Sequence, residues 1–361
     1  VGFLKANISS LVGELYEFGD KRRDSGFTIF YMGINLGSFL ATIICVWLGE
    51  EYGWSYGFGS AGVGMLLGLV TFVYGKNYLY GKGESKNPAI LNKKIIGIKI
   101  EWLIYVASLL SVFVFWQMVQ SHEIVSSSLM LAGSLSLVYI LYYSTTQVDK
   151  RAREQLFALT ILIVFTIIFW ALFEQAYTSL NLFADRVLDR GEIPAGNFLS
   201  LNALFIILLA PVFAWLWVKL GKYNPNTAVK FSLALILVGL GFGSLVLGIS
   251  LSDMGKVGMI WLIITYFLHT CGELCLSPVG LSAVTKLSPP KIVGFMMGVW
   301  FLATASSEFI ASVLANIASI DTSNGTALDL SAAKDSYLVL FKYLFYAGLI
   351  FGIILLVISP F

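Results

Sequence analysis

Long apolar segments alternate with short polar connections along this sequence. A helix needs about 20 mostly apolar residues to cross the hydrocarbon core of a bilayer. By that measure the pattern predicts eleven spanning helices, of which the first is incomplete. Their predicted ranges are 1–16, 25–49, 55–75, 98–118, 126–145, 154–184, 197–219, 229–250, 257–286, 291–319 and 335–359. The sequence therefore predicts an all-α, polytopic transmembrane helix bundle.

The composition agrees with this class and excludes several functions. Only 12% of the residues are charged and the mean hydropathy is +0.83, whereas about 25% of a soluble domain is charged. A net charge of +2 gives no basic surface for nucleic acid. Three cysteines in apolar segments are typical of packing residues, and two histidines are too few for a His-based metal centre. We expect neither a metal nor a nucleic-acid partner.

One glycine pattern matches a cofactor motif in form only. Residues 57–62 read GFGSAG, which fits the dinucleotide fingerprint. That motif requires a preceding strand in a βαβ unit, and here it opens an apolar helix. Glycines at this spacing more plausibly let membrane helices approach each other closely. No cofactor is therefore expected.

The distribution of basic residues predicts the orientation in the membrane. Of the 23 lysines and arginines, 17 fall in alternate connections on one side of the membrane. The other side holds Arg186, Arg190, Lys256 and Lys334, and two more lie within helices. Cytoplasmic connections hold an excess of such residues, so the C-terminus is expected in the cytoplasm. Eleven helices that begin outside then imply an odd number of helices before residue 1.

Glu174 is the most informative single residue. It stands inside the apolar range 154–184, where we expect it in the middle of an unbroken helix. A charge at the bilayer centre costs about 2.5–3.5 kcal/mol, so such a group faces water or a partner. Because burial disfavours the ionised form, Glu174 is a candidate for proton binding and release near neutral pH. The alternative is a glutamate near a helix end that reaches the interface.

A second polar feature lies in the range 257–286. His269, Glu273 and Ser277 recur at a spacing of four, which places them on one helix face. Pro278 follows, and we expect it to kink the helix and free a carbonyl group at cavity depth. Transporters build sites from a polar face beside such a break. The alternative is hydrogen bonding between helices.

Further polar or amphipathic residues occur singly within apolar helices. Lys5 could pair with a ligand carboxylate, Asn35 stands between two glycines, and Trp300 offers a flat apolar wall. The same group includes Asn7, Glu14, Asn202 and Glu308. Each of them is also explained by hydrogen bonding or packing between helices.

Several of these motifs together resemble the bacterial proton-coupled oligopeptide transporters of the major facilitator superfamily. Residues 30–38 (FYMGINLGS) resemble that family's signature, and residues 2–7 (GFLKAN) and 22–27 (RRDSGF) precede it. Residues 169–175 (FWALFEQ) resemble its seventh-helix motif, and residues 272–282 (GELCLSPVGLS) resemble its tenth-helix motif. The resemblance therefore runs through most of the chain.

The resemblance implies a bundle of two six-helix halves with two additional helices between them. The first helix here would be the family's fourth, so its first three would be missing. Residues 1–75 would then be the remainder of the N-terminal half and 76–97 a flexible cytoplasmic linker. Residues 98–148 would be the inserted helix pair and 149–361 the C-terminal half.

The resemblance also implies roles for individual residues. Glu174 resembles the proton-coupling glutamate, and Lys5 resembles the helix-four lysine that acts with it. Glu273 resembles the acidic residue that faces the amino terminus of the peptide. The expected substrate-binding residues are Asn35, Asn202, Glu273, Ser277 and Trp300.

The function implied is symport of protons with di- and tripeptides across the cell (inner) membrane by alternating access. Its partners would be peptides, protons and membrane lipid. The nearest alternative is proton-coupled transport of another small anion such as nitrate. A channel would need a continuous polar lining, and an enzyme would need a nucleophile with a base or a metal. The sequence shows neither pattern, so no enzymatic activity is expected.

Overall fold

The computed structural model describes residues 2–17, 20–84, 88–193, 195–252, 255–317 and 330–359. The first α-helices are α1 (Gly2–Glu14), α2 (Arg23–Tyr52), α3 (Trp54–Gly75), α4 (Pro88–Asn92), α5 (Ile100–Val119), α6 (His122–Thr146) and α7 (Lys150–Phe173). The others are α8 (Ser179–Arg186), α9 (Ser200–Leu220), α10 (Thr227–Leu251), α11 (Met259–Leu287), α12 (Val293–Ile317) and α13 (Leu330–Ile358). Shorter 3-10 helices cover Lys76–Leu79, Glu174–Tyr177, Ala195–Leu199 and Gly221–Tyr223.

Two pairs of very short strands join connections outside the helices. β1 (Lys94–Ile95) pairs with β2 (Ile98–Lys99) in antiparallel orientation, close to the end of the polar segment 76–97. This segment, predicted as a linker, thus contains short elements of its own. β3 (Leu188–Asp189) pairs in parallel with β4 (Val257–Gly258) and so links the connections that follow α8 and α10.

Ten helical segments within the described ranges are long and apolar enough to cross a membrane. α1, with 13 residues, is shorter than a span and corresponds to the incomplete first helix. Large apolar side chains such as Leu109 (74% exposed) and Phe113 (68% exposed) point outward from the bundle. This arrangement suits a lipid environment, in which the backbone must satisfy its hydrogen bonds within the helices.

The helix around Glu174 differs from the prediction. The apolar pattern predicts one unbroken helix over 154–184, but α7 ends at Phe173 and a 3-10 turn follows over Glu174–Tyr177. Thr178 then leaves the helical region, with φ −118° and ψ −93°, before α8 begins. Glu174 therefore lies at a break in the span instead of at mid-helix. Hydropathy could not show this, because the residues on both sides of the break are equally apolar.

α11 continues as a helix through Pro278 to Leu287, and the kink expected at Pro278 stays a prediction. A proline removes one hydrogen bond from the ladder. Every residue from Gly272 to Val284 is buried by neighbouring helices, and we attribute the continuity of α11 to this packing.

The densest packing lies among α10, α11 and α13. Phe231, Val238 and Phe242 on α10 are fully buried. A Cβ atom added to Gly348 on α13 would lie 2.6 Å from Cα of Gly239 on α10. Only glycine permits backbones to approach this closely. Elsewhere, α5 contacts α6, which contacts α7 and α12.

α2 positions the candidate site because it packs against helices from distant parts of the chain. It packs against α3 on one side and along α9 and α11 on the other. Gly57 on α3 allows the first of these contacts, since a Cβ atom there would lie 2.6 Å from the carbonyl oxygen of Cys45. Polar residues of α2 and α11 consequently meet inside the bundle.

Candidate functional site

A buried carboxylate joins three helices at the centre of the structure. Glu273 on α11 is 3% exposed. The Tyr31 hydroxyl on α2 donates a hydrogen bond to its Oε1 over 2.5 Å, and Asn202 Nδ2 on α9 donates to its Oε2 over 2.6 Å. Asn202 also donates to Thr270 Oγ1 over 3.1 Å. Both carboxylate oxygens thus accept hydrogen bonds, which is the role that an ionised carboxylate can fill.

Helical spacing explains why these side chains meet. Tyr31 and Asn35 are four residues apart on α2, and Asn35 Nδ2 donates to the Tyr31 carbonyl oxygen over 3.0 Å. On α11, Thr270, Glu273 and Ser277 are separated by three and four residues, so they share one face. Asn35 and Ser277 both flank the Tyr31 hydroxyl. The site is therefore a contact between one polar face of α2 and one of α11.

Glu174 occupies the break between α7 and α8, where its side chain is partly buried. The neighbouring Gln175 is fully buried and fixes this turn. Its Nε2 donates to the Ala311 carbonyl oxygen on α12 over 3.1 Å, and its Oε1 accepts from Ser179 Oγ over 2.6 Å. Gln175 thus ties this turn both to α12 and to the start of α8.

Tyr177 lies in the same 3-10 turn as Glu174. Its side chain is 60% exposed. The charges of Glu174, Glu273 and Glu308 all act on its hydroxyl. Tyr177 is thus within electrostatic range of three carboxylates, which belong to α11, α12 and the break after α7.

The structure brings together four of the predicted site residues. Asn35, Asn202, Glu273 and Ser277 meet around Tyr31 as described above. Trp300 is 2% exposed and packs edge-on to Phe231 at a centroid distance of 6.2 Å. Its role as a substrate wall stays a prediction. Lys5 belongs to α1, but its side chain lies outside the described part of the structure.

His269 does not extend the polar face of Glu273 and Ser277. Its ring packs between Phe173 and Phe242, and its Nε2 lies 3.1 Å from the Val238 carbonyl oxygen on α10. Four residues advance a helix by about 400°, so each step of four turns the side chain by about 40°. His269 has turned far enough to enter the core between α10 and α11.

Tyr31, Thr270 and Tyr177 belong to the site, and the sequence analysis assigned none of them a role. The spacing offered a signal for two of them, because Tyr31 precedes Asn35 by four residues and Thr270 precedes Glu273 by three. Tyr177 gave no such signal, since its place depends on the unpredicted break after Phe173.

Within the described residues there is no cluster of three or more His, Cys, Asp or Glu side chains suited to a metal ion. The GFGSAG segment at 57–62 lies inside α3, without the preceding strand that a dinucleotide site requires. The side chains that meet at the site carry carboxylate, amide and hydroxyl groups.

Comparison with known proteins places this arrangement in a family. The sequence profile PTR2, described as the POT family, matches residues 1–329. The chain belongs to the POT family. It is 41% identical over 322 residues to the uncharacterized transporter YclF of Bacillus subtilis, covering 88% of this chain and 65% of YclF. It is 34% identical over 324 residues to dipeptide and tripeptide permease A of Erwinia pyrifoliae, covering 88% of this chain and 64% of the permease.

Solved structures show the same architecture. A crystal structure of a mutant peptide transporter POT in complex with alafosfalin matches with a TM-score of 0.68 and 36% identity, over 98% of this chain and 70% of that chain. The fold is thus a POT helical bundle of the major facilitator type. The chain spans slightly less than two thirds of the length of the two curated relatives described above.

Proposed function

We propose that the protein is a proton-coupled symporter of di- and tripeptides. The observation that carries this proposal is the buried Glu273 carboxylate, held by Tyr31 and Asn202 at the junction of α2, α9 and α11. A buried carboxylate that only accepts hydrogen bonds suits a positively charged amino group, because charge-assisted hydrogen bonds are the stronger ones. The name of the Erwinia permease supports the same substrate class.

Recognition in this proposal uses the two charged ends of a peptide. Glu273 binds the amino group, while Lys5 contributes to binding the carboxylate. Asn35, Asn202 and Ser277 line the space between, and Trp300 forms a wall for side chains. Selectivity is then for the zwitterionic backbone and its length.

Proton coupling in this proposal belongs to Glu174, with Lys5 contributing. A partly buried carboxylate at a helix break can alternate between protonated and ionised forms as the cavity opens to each side. One proton moving through 100 mV supplies about 2.3 kcal/mol, which bounds the accumulation that a single proton can drive. Proton coupling of this kind forms and breaks no covalent bond in the substrate, so we assign the protein no enzymatic activity.

A competition assay tests the substrate class. We expect unlabelled di- and tripeptides to compete with a labelled dipeptide for uptake into liposomes that contain the full-length protein. Nitrate at the same concentration should leave uptake unchanged, because it has no amino group for Glu273. Free amino acids serve as the control for length. Competition by nitrate but not by peptides would favour the anion alternative, which the relatives' names do not support.

We also propose that the protein spans the cell (inner) membrane, in contact with its lipids, with its C-terminus in the cytoplasm. The 17-to-4 division of basic residues supports this orientation. A reporter fused within residues 81–94 should be cytoplasmic, and one fused within 321–330 should be external. A fusion at 221–226 is a second cytoplasmic control. Finding the first two reporters on the same side would contradict the arrangement of helices.

A further inference from the structure

An apolar cavity of about 240 Å³ lies between α6, α7 and α12. It is lined by residues within 133–140 on α6, 160–167 on α7 and 299–306 on α12. None of these residues belongs to the Glu273 site, and the transport function proposed above gives them no role. The cavity is therefore a separate feature of the bundle.

The lining offers little to a polar ligand. Thr160 Oγ1 donates to the Leu156 carbonyl oxygen over 2.8 Å, and Ser306 Oγ donates to the Leu302 carbonyl oxygen over 2.9 Å. Both hydroxyl protons are thus used within their own helices. An apolar cavity of about 150 Å³ stays dry and admits benzene. This larger cavity consequently suits a longer piece of hydrocarbon.

The cavity is closed toward the bundle interior and open toward its outer surface. Ile140, Ile163 and Ala303 form a buried floor, and each is at most 5% exposed. Leu137 and Val164 are 46% and 51% exposed, so the mouth lies between α6 and α7. The outer surface there is apolar and faces lipid. The cavity is thus continuous with the hydrocarbon of the bilayer, and a lipid acyl chain is the group that can enter it.

The depth of the cavity matches the reach of a lipid from one leaflet. The lining ranges lie six to thirteen positions from Thr146 at the end of α6, from Glu154 in the first turns of α7 and from Val293 at the start of α12. At 1.5 Å per residue this is about 9–20 Å from that end of the three helices. Half of the hydrocarbon core is about 15 Å thick, so an acyl chain from the leaflet at that end can reach the cavity.

Basic side chains stand at the same end of these helices. They are Lys150, Arg151 and Arg153 at the start of α7 and Lys291 shortly before α12. Asp149 and Glu154 offset two of these charges, so a positive excess remains. Lys150, Arg151 and Lys291 are exposed. Exposed basic residues next to a membrane surface attract anionic headgroups.

We propose that the cavity binds one acyl chain of an anionic phospholipid whose headgroup lies against Lys150, Arg151 and Lys291. The chain enters between Leu137 and Val164 and fills the space that the side chains leave open. It thereby completes the packing of α6 against α7 and α12. The orientation proposed above assigns this lipid to the cytoplasmic leaflet, but the site itself does not depend on that assignment or on peptide transport.

A photoactivatable lipid tests the site. The full-length protein is reconstituted in liposomes that contain a trace of phosphatidylglycerol with a diazirine group in one acyl chain, and mass spectrometry locates the label. We expect several-fold more label on Ile163 and Ala303 than on the outward-facing Leu109 and Phe113 of α5. Phosphatidylcholine with the same acyl chain should label Ile163 and Ala303 several-fold less than phosphatidylglycerol does.

Two sets of variants make the result specific. Gly133→Leu fills the cavity without a clash, because a Cβ atom there would meet no heavy atom within 4 Å. It should reduce the label on the cavity floor to the level seen on α5, whereas Ser134→Leu, at an exposed neighbouring position, should leave it unchanged.

The second set removes three charges at a time. The variant with Lys150, Arg151 and Lys291 changed to glutamine should label the floor equally with both lipids. Its control changes the exposed Lys93, Lys94 and Lys99 to glutamine and should keep the preference for phosphatidylglycerol.

The unaltered protein alone can overturn the proposal. Absence of label from the cavity floor would show that another part of the full-length protein fills the cavity. Equal labelling by the two lipids would refute the anionic headgroup. Persistence of the floor label in Gly133→Leu, eluting as a folded protein, would place the lipid outside the cavity. Failure of the peptide competition assay would refute the proposed substrate and leave this site standing.

Discussion

Replacing Glu174 with glutamine should abolish peptide accumulation driven by a proton gradient while keeping most of the peptide affinity. Glutamine has nearly the same shape, but it cannot bind and release a proton. The turn itself should persist, because Gln175 fixes it through Ala311 and Ser179. Exchange of peptide for peptide should also survive, since that half of the cycle need not move a proton. The expected accumulation ratio falls to one, from a bound of about 50-fold that one proton moving through 100 mV can drive.

Liposomes loaded with and without a proton gradient measure this effect, with counterflow exchange as the second readout. Glu308→Gln is the matched control, because Glu308 is an exposed carboxylate that also acts on Tyr177. It should retain gradient-driven uptake. If Glu174→Gln accumulates peptide and Glu308→Gln does not, proton coupling belongs to Glu308 and the role proposed for Glu174 is wrong.

Replacing Glu273 with glutamine should make transport insensitive to the charge of the peptide's amino group. In the unaltered protein, acetylation of that group should weaken competition by about 1–3 kcal/mol, the usual loss when a charged hydrogen bond is not made. Glutamine at this position offers no net charge to the ammonium group. The variant should therefore bind the free and the acetylated dipeptide almost equally, and the free peptide less tightly than before.

The control for this prediction is Tyr31→Phe, which removes one donor to Glu273 but leaves its charge in place. Inhibition curves for both peptides should show the full acetylation effect in Tyr31→Phe and its loss in Glu273→Gln. An unaltered protein that ignores acetylation would show that Glu273 binds something other than the amino group. Loss of the effect in Tyr31→Phe would show that the phenol itself is needed.

The general architecture could be derived from the order of residues because the bilayer imposes a local rule. Each span must be apolar over about 20 residues and must satisfy its own backbone hydrogen bonds. The sequence therefore determined the ten spans, the short first helix and the family to which the chain belongs. Spacing along α11 likewise placed Glu273 and Ser277 on one face, with no knowledge of their neighbours.

Only the tertiary structure decided which of these faces meet. The break after Phe173 depends on Gln175 binding α12, and His269 turns into the core because α10 offers it a carbonyl oxygen. Likewise, Tyr31 reaches Glu273 across 242 positions, and Asp24 reaches Lys230 across 206. Periodicity reports the direction of a side chain from its own helix axis. Which residue a side chain contacts depends on how the helices pack against each other, and that packing depends on all helices of the bundle.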